Sequence, residues 1–337
     1  MAAVQEARPD VLGEDWARRT IRLAPDGADE PPVATLVHRA EHRAGDRAGR
    51  PRASCAVLYV HGFVDYFFQV HHARTWERAG YDFFALDLRD YGRSIRPGRR
   101  PNWITDLGAY DEELDAALGW IRSAGYAHVL LAGHSTGGLV ASLYAHDHPR
   151  GVDGLVLNSP WLDLNEPWPV RHVASPLICA IAPVAPLLPL RPLGRAYGES
   201  LHISTGGEWD YNLNWKPLEG FGVAAGWFRA IRRGHARIRR GLSIDVPVLV
   251  ATSGARGSNT DPTPADLDGT DTVLSPPQMW RRARGLGRDV TVVRIAGGRH
   301  DLTLSRPRAR NRFDRQLTGW LAGRFAIAHG RPPFVPE

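Results

Sequence analysis

Apolar residues recur along this chain in two rhythms. Two early runs, TIRLA (20–24) and VATLVHRA (33–40), alternate apolar and polar positions and predict antiparallel strands. Six later runs are apolar almost throughout: CAVLYVHG, YDFFALD, HVLLAGH, GVDGLVLNSP, VPVLVATSG and DVTVVRIAGG. Unbroken Val/Ile/Leu strands suit a parallel sheet covered on both faces. A polar turn, EHRAGDRAGRPRAS, leads into the first of the six. Helical stretches separate the six. In ITDLGAYDEELDAALGWIRSAG, for example, Leu107, Tyr110, Leu114, Leu118 and Ile121 share one helix face. HHARTWERAGY, STGGLVASLYAHDHP and SPPQMWRRARGLG fill other gaps, and NRFDRQLTGWLAGRFAIAHG follows the last strand. This alternation predicts an α/β fold: a mostly parallel central sheet flanked by helices, with right-handed crossovers.

One interval breaks the rhythm. Residues 161–243 hold no buried strand and are rich in Trp, Pro, Leu and Arg. They predict a largely helical lid over one end of the sheet, inserted into a core formed by residues 1–160 and 244–337. Its longest apolar run, SPLICAIAPVAPLLPLRPL, is cut by prolines and makes a poor membrane-spanning helix.

Bulk numbers narrow the picture a little. With 337 residues, 43 % of them hydrophobic, the chain can bury a sizeable core. The net charge of +6 comes almost wholly from arginine, since Lys216 is the only lysine. The arginines are scattered, which argues against a nucleic-acid partner. The densest run, FRAIRRGHARIRRG, is expected on a solvated helix, with membrane-surface contact as the minor reading. Cys55 and Cys179 read as small buried side chains, not as a disulfide framework. The start of the sequence lacks an apolar signal core, so the expected location is cytoplasmic.

The chemistry begins at Gly133-His134-Ser135-Thr136-Gly137, which fits G-x-S-x-G between an apolar strand and a helix. That is the setting of a nucleophile elbow, where a strained turn lifts a serine hydroxyl above the strand ends. A capping serine in a glycine-rich turn would give the same five letters. The other required groups decide between the two, and they must follow in the order serine, acid, histidine. His300 lies just past the last apolar strand, in GGRHDLTLS. The loop after VPVLVATSG offers Asp261, Asp266, Asp268 and Asp271. Asp271, immediately ahead of the next helix, is the first choice for the acid, and Asp268 the second. Two backbone N–H groups are needed to hold an oxyanion. The expected donors are Thr136, after the serine, and Phe63, after Gly62. His61 is read as a loop brace. No metal or cofactor is expected, because no His/Cys cluster shows zinc spacing.

The pieces HGFVDYFFQ, ALDLRDYGRS, AGHSTGG, LVLNSPW, GTDTVLSP and GGRHDLTLS resemble the α/β-hydrolase superfamily. The nearest group is the monoacylglycerol lipase and lysophospholipase-like, serine aminopeptidase-type hydrolases. The resemblance spans roughly residues 50–160 and 244–325 and fades across the insertion. It implies a Ser135–His300–Asp271 triad, with structural roles for Asp87, Gly92 and Ser94. Thr136 departs from the methionine common in lipase relatives, and the acid loop is longer than usual. The expected activity is cleavage of a carboxylic ester through an acyl-enzyme, with a small apolar ester or acyl compound as partner. Acyl transfer, action on a lactone or amide, and non-catalytic ligand binding are the alternatives. Five tryptophans of the insertion (Trp161, Trp168, Trp209, Trp215 and Trp227) suit an apolar pocket wall. Trp161, Trp209 and Trp215 are the first candidates. The sequence carries no statement on oligomeric state.

Overall fold

A computed structural model describes residues 3–40, 54–190 and 194–325. The polar turn expected at 41–54 lies almost wholly outside them, as does the end of the apolar run at 191–193. Within the described residues ten strands form one sheet: β1 (Ala3–Val4), β2 (Arg8–Asp10), β3 (Gly13–Arg22), β4 (Val33–Arg39), β5 (Cys55–Val60), β6 (Tyr81–Asp87), β7 (His128–His134), β8 (Gly154–Asn158), β9 (Val248–Ser253) and β10 (Val290–Ile295). Among the described residues nine α-helices accompany them: α1 (Val70–Arg78), α2 (Asp111–Ser123), α3 (Thr136–Asp147), α4 (Ser175–Ile181), α5 (Ala196–Leu201), α6 (Ala225–Arg240), α7 (Pro264–Gly269), α8 (Pro276–Ala283) and α9 (Pro307–Phe325).

The spatial order is β1-β3-β4-β6-β5-β7-β8-β9-β10, with β2 on the side of β3. Pairing from β6 to β10 is parallel, and β3, β4 and β6 pair antiparallel. All six apolar runs and both alternating runs are strands of this sheet. Side chains of β5 go to opposite faces by turns, as the pleat requires. Ala56, Leu58 and Val60 join α2, α3 and α6, whereas Val57 and Tyr59 join α1 and α9. Chain order reverses between β5 and β7. The strand after β5 lies on one side of it, and the next lies on the other. The C-terminal ends of β5 and β7 form a topological switch point, the crevice where open α/β sheets place ligands.

Three elements depart from expectation. The run 290–295 is an edge strand, half-buried at Val290 to Val293 and exposed at Arg294, instead of being covered on both faces. Among the described residues no strand pairs beyond it, and Arg294 lies over the Trp280 ring at 3.7 Å. The acid loop contains a short helix, α7, started by a capping box between Thr263 and Asp266. Between β8 and β9 lie α4, α5 and α6, but a long irregular stretch separates α5 from α6, where glycines and Pro217 break any helical period. In α6 the arginines are not simply solvated. Trp227, Ala230, Ile231 and Ile238 form a stripe packed into the core, while Arg237 pairs with Asp147. Cys179 is half-buried, against the expectation for it. Among the described residues, no helix is long and apolar enough to cross a membrane.

Behind the sheet ends sits a charged network built from the DLRDYGRS segment. Arg93 bonds Asp10 through two nitrogens (2.7 and 2.9 Å) and Asp87 through a third (2.8 Å), with all three side chains fully buried. Asp87 Oδ1 accepts from Phe67 N–H at 3.0 Å, which ties the network to the loop after β5.

Candidate active site

Ser135 forms the turn from β7 into α3 with φ 53° and ψ −116°. An L-residue holds that conformation only when its surroundings impose it. The flanking glycines show what imposes it. A Cβ on Gly133 would lie 2.5 Å from Gly137 O, and one on Gly137 would lie 2.3 Å from His61 O. The G-x-S-x-G spacing thus follows from how tightly β5, β7 and α3 meet. Ser135 N–H donates to Asn158 O (3.0 Å), and Ser135 O accepts from Trp161 N–H (2.9 Å).

The loop after β10 turns through Gly297 (φ 76°) and delivers His300 to this serine. His300 Nε2 lies 3.0 Å from Ser135 Oγ, and His300 Nδ1 lies 3.0 Å from Asp271 Oδ2. The other oxygen of Asp271 accepts N–H groups from Val273 (2.9 Å) and Leu274 (2.7 Å), which leaves Oδ2 for the imidazole. The second-choice acid, Asp268, points elsewhere, to Arg299 (2.7 Å) and Arg306 (2.9 Å). Asp261 and Asp266 lie exposed or nearly so near the start of α7.

The loop after β5 closes on the same point. Gly62 is close enough to Ser135 that an added Cβ would lie 3.2 Å from Ser135 Cβ. Its N–H faces Asp65 Oδ2 (3.4 Å), and Val64 N–H donates to Asn102 Oδ1 (3.1 Å), so the Phe63 amide sits between two tethered ones. Thr136 N–H is the first amide of α3, and the helix itself provides no acceptor for it. His61 braces the turn, accepting from Leu88 N–H at Nε2 (3.1 Å).

The sequence reading missed a second layer. Asp301 Oδ1 accepts from Asn158 Nδ2 (2.7 Å) and Thr303 N–H (2.9 Å), and Oδ2 from Gln69 Nε2 (3.2 Å). Burial pushes its carboxyl up, but neighbouring His134 and the bonds from Thr303 and Asn158 outweigh that and hold it well below the usual range. The His134 ring lies 4.9 Å from that of His300. Asp65, His134 and Asp301 bring potential metal-ligand atoms within 4.8 Å of one another. Asp301 is taken up by the bonds above, Asp65 by Lys216 Nζ (2.6 Å), and His134 Nδ1 by Asn158 O (3.1 Å). That donor set suits a closed polar network better than a cation. Adjacency to His300 was the one available signal for Asp301; nothing local marked Asp65 or Lys216.

The structure divides the three pocket tryptophans. Trp161 packs on Trp227 (5.8 Å), and Trp227 packs on Phe63 (4.1 Å), beside the serine. Trp209 and Trp215 belong to a different cluster, with Tyr66, Phe68 and Tyr211. Trp209 donates to Leu304 O (3.1 Å), and Trp215 stands edge-on to Tyr66 (5.2 Å). Tyr197 of α5 completes the cover. Its ring is 5.8 Å from that of His300, and its hydroxyl accepts from Asp301 N–H (2.9 Å). Ser135 and His300 are 8 % and 3 % exposed.

Residues 50–306 match the family model described as serine aminopeptidase, S33. Epoxide hydrolase 4 of Mus musculus is 32 % identical over 135 residues, 39 % of this chain and 34 % of that protein. Monoacylglycerol lipase of Mycolicibacterium smegmatis is 28 % identical over 131 residues, 38 % of this chain and 43 % of that protein. The matches thus span between a third and a half of these relatives' length. Among solved structures, monoglyceride lipase from Saccharomyces cerevisiae, in complex with a substrate analogue, superposes with a TM-score of 0.61 at 15 % identity, covering 95 % of each chain. At that identity the likeness is one of fold.

Proposed function

The chain belongs to the serine aminopeptidase S33 family of α/β hydrolases, and from that footing we propose that it is a serine hydrolase cleaving a carboxylic ester, lipid-like monoacyl or small and apolar. The observation that carries this reading is the pair of 3.0 Å contacts joining Ser135 Oγ to His300 Nε2 and His300 Nδ1 to Asp271 Oδ2. As Ser135 Oγ bonds to the ester carbonyl carbon, His300 takes its proton, and Asp271 holds the imidazole in the required tautomer. The Phe63 and Thr136 N–H groups stabilise the oxyanion. Collapse expels the alcohol, which receives the proton from His300 and leaves an acyl-serine. Water, deprotonated by the same imidazole, then releases the acid and restores Ser135.

Residues 161–243 act as the lid over the core of residues 1–160 and 244–337, and Trp161, with Trp227 and Phe63, supplies an apolar wall. Trp209 and Trp215 act at one remove, through Tyr66 and the loop after His300. The name of the epoxide hydrolase relative does not redirect the reading, because the side chain at the elbow here is a serine hydroxyl. Acyl transfer to an alcohol is a second reading. It is favoured by the burial of Ser135 and His300, since a covered site excludes water. A fluorophosphonate probe should label the wild type and not Ser135→Ala, whose turnover of p-nitrophenyl esters should fall about 10⁴–10⁶-fold. Substantial turnover by that variant would sink the assignment. Equally poor cleavage of short and long acyl esters would remove the lipase-like part. Ester product in the presence of added alcohol would favour transfer.

A further inference from the structure

The single lysine of the chain lies at the contact between the insertion and the core. Lys216 Nζ is 2.6 Å from Asp65 Oδ1, with the two side chains 14 % and 2 % exposed. The ammonium also lies over the rings of Tyr211 (5.6 Å) and Phe68 (5.8 Å). The other Asp65 oxygen faces Gly62 N–H, one residue before Phe63. A single carboxylate therefore links a cation of the insertion to the turn beside Ser135.

Charge makes this link consequential. Asp65 and Asp301 are both buried, and each places an oxygen within 4.8 Å of the other's and of His134. Two carboxylates that close repel in a medium of low dielectric. Hydrogen bonds satisfy Asp301, but Asp65 depends on Lys216. Other bonds brace the same part of the insertion: Asn212 N–H donates to Tyr66 OH (2.7 Å), and Trp209 Nε1 to Leu304 O. By contrast, Trp168, Val173, Leu177 and Val184, earlier in the insertion, are exposed. The stretch around Lys216 is thus a fixed piece of the site's frame.

We propose that Lys216 is a positioning residue: acting through Asp65, it holds the Gly62–Phe63 turn where the amide of Phe63 meets the oxyanion formed at Ser135. This rests on the reading of Ser135 and Phe63 given above. Misplacing a reacting geometry by about 1 Å can cost 10²-fold in rate. Both acylation and deacylation pass through an oxyanion, so the loss should fall on kcat.

The test measures p-nitrophenyl ester turnover and fluorophosphonate labelling in wild type, Lys216→Met, Lys216→Arg and Asp65→Asn. Lys216→Met should lose about 10- to 100-fold in kcat with KM within about threefold. Lys216→Arg should recover most of the loss, and the Lys216→Met/Asp65→Asn pair should be no slower than the slower single variant. A Lys216→Met kcat within twofold of wild type overturns the proposal. So does a loss confined to KM, or a Lys216→Arg variant as slow as Lys216→Met. Should Lys216→Met fail to fold, the isosteric Asp65→Asn carries the test: the same kcat loss supports the proposal and a kcat within twofold overturns it. A wild type that neither labels nor turns over removes the reading of the site and this inference together. A wild type that does both, beside any overturning result, removes the inference alone.

Discussion

The tightest packing at the candidate site can be tested with one methyl group. In Gly137→Ala the new Cβ would lie 2.3 Å from His61 O and 2.5 Å from Val60 O, both rigid backbone atoms. Reaching even 3.0 Å requires a shift of at least 3.0 − 2.3 = 0.7 Å between α3 and the end of β5. That strand end leads directly into Gly62 and Phe63, so the shift separates the proposed oxyanion donor from Ser135. Overpacking of this kind costs about 1–3 kcal/mol of stability, and a displacement near 1 Å costs on the order of 10²-fold in rate. Gly119→Ala is the control: it is an exposed helical position with nothing within 4 Å of the added carbon. It should gain about 0.5–1 kcal/mol with unchanged turnover. Urea unfolding and kcat/KM on a p-nitrophenyl ester read both effects. A Gly137→Ala protein with kcat/KM within threefold of wild type and an unshifted urea midpoint would refute the reasoning.

Other substitutions separate neighbouring claims. Asp271→Asn should lower kcat by about 10⁴-fold through the wrong imidazole tautomer, whereas Asp268→Asn should leave kcat nearly intact; equal losses in steady-state assays would count against Asp271. Asp10→Asn removes one partner of the buried Arg93 and should cost about 3–5 kcal/mol in chemical denaturation, and a change under about 1 kcal/mol would show that the network carries little. Burial lowers His72 and His235 to about 3. Their folded values lie below the unfolded value near 6.5, so the unfolded chain binds more protons between these limits. Stability is therefore retained above pH 6.5 and falls as pH drops from there toward 3, by about 1.4 kcal/mol per unit for each histidine. His235→Gln should flatten that slope, measured by denaturation at pH 6 and pH 4.5, and an unchanged slope would contradict the assignment.

Much of this was legible without coordinates, for a physical reason in each case. A short apolar run bounded by turn residues marks a strand, so the strands and their order in the chain could be read. The elbow could be read because close backbone approach excludes every residue but glycine at Gly133 and Gly137. His300 could be read as the proposed base because such a group is expected on the loop after the last strand. What periodicity cannot report is direction. Asp268 and Asp271 stand three residues apart on one loop, and their local letters are equivalent. The turn that gives Asp271 two backbone N–H groups and aims its free oxygen at His300 exists only in the folded loop. The edge position of β10 was hidden for a similar reason, since a strand's own residues do not state whether another strand pairs beyond it. The five tryptophans looked like one wall, yet Trp161 and Trp227 fall in one cluster, Trp209 and Trp215 in another, and Trp168 stands exposed, because the irregular path between α5 and α6 has no period to read. Lys216 and Asp65 are 151 residues apart. The sequence alone marked the strands from β3 to β10, the elbow and the set of candidate groups. Only the tertiary structure decided which of them face each other, because contacts between distant loops follow from strand order and turn geometry, which no local pattern encodes.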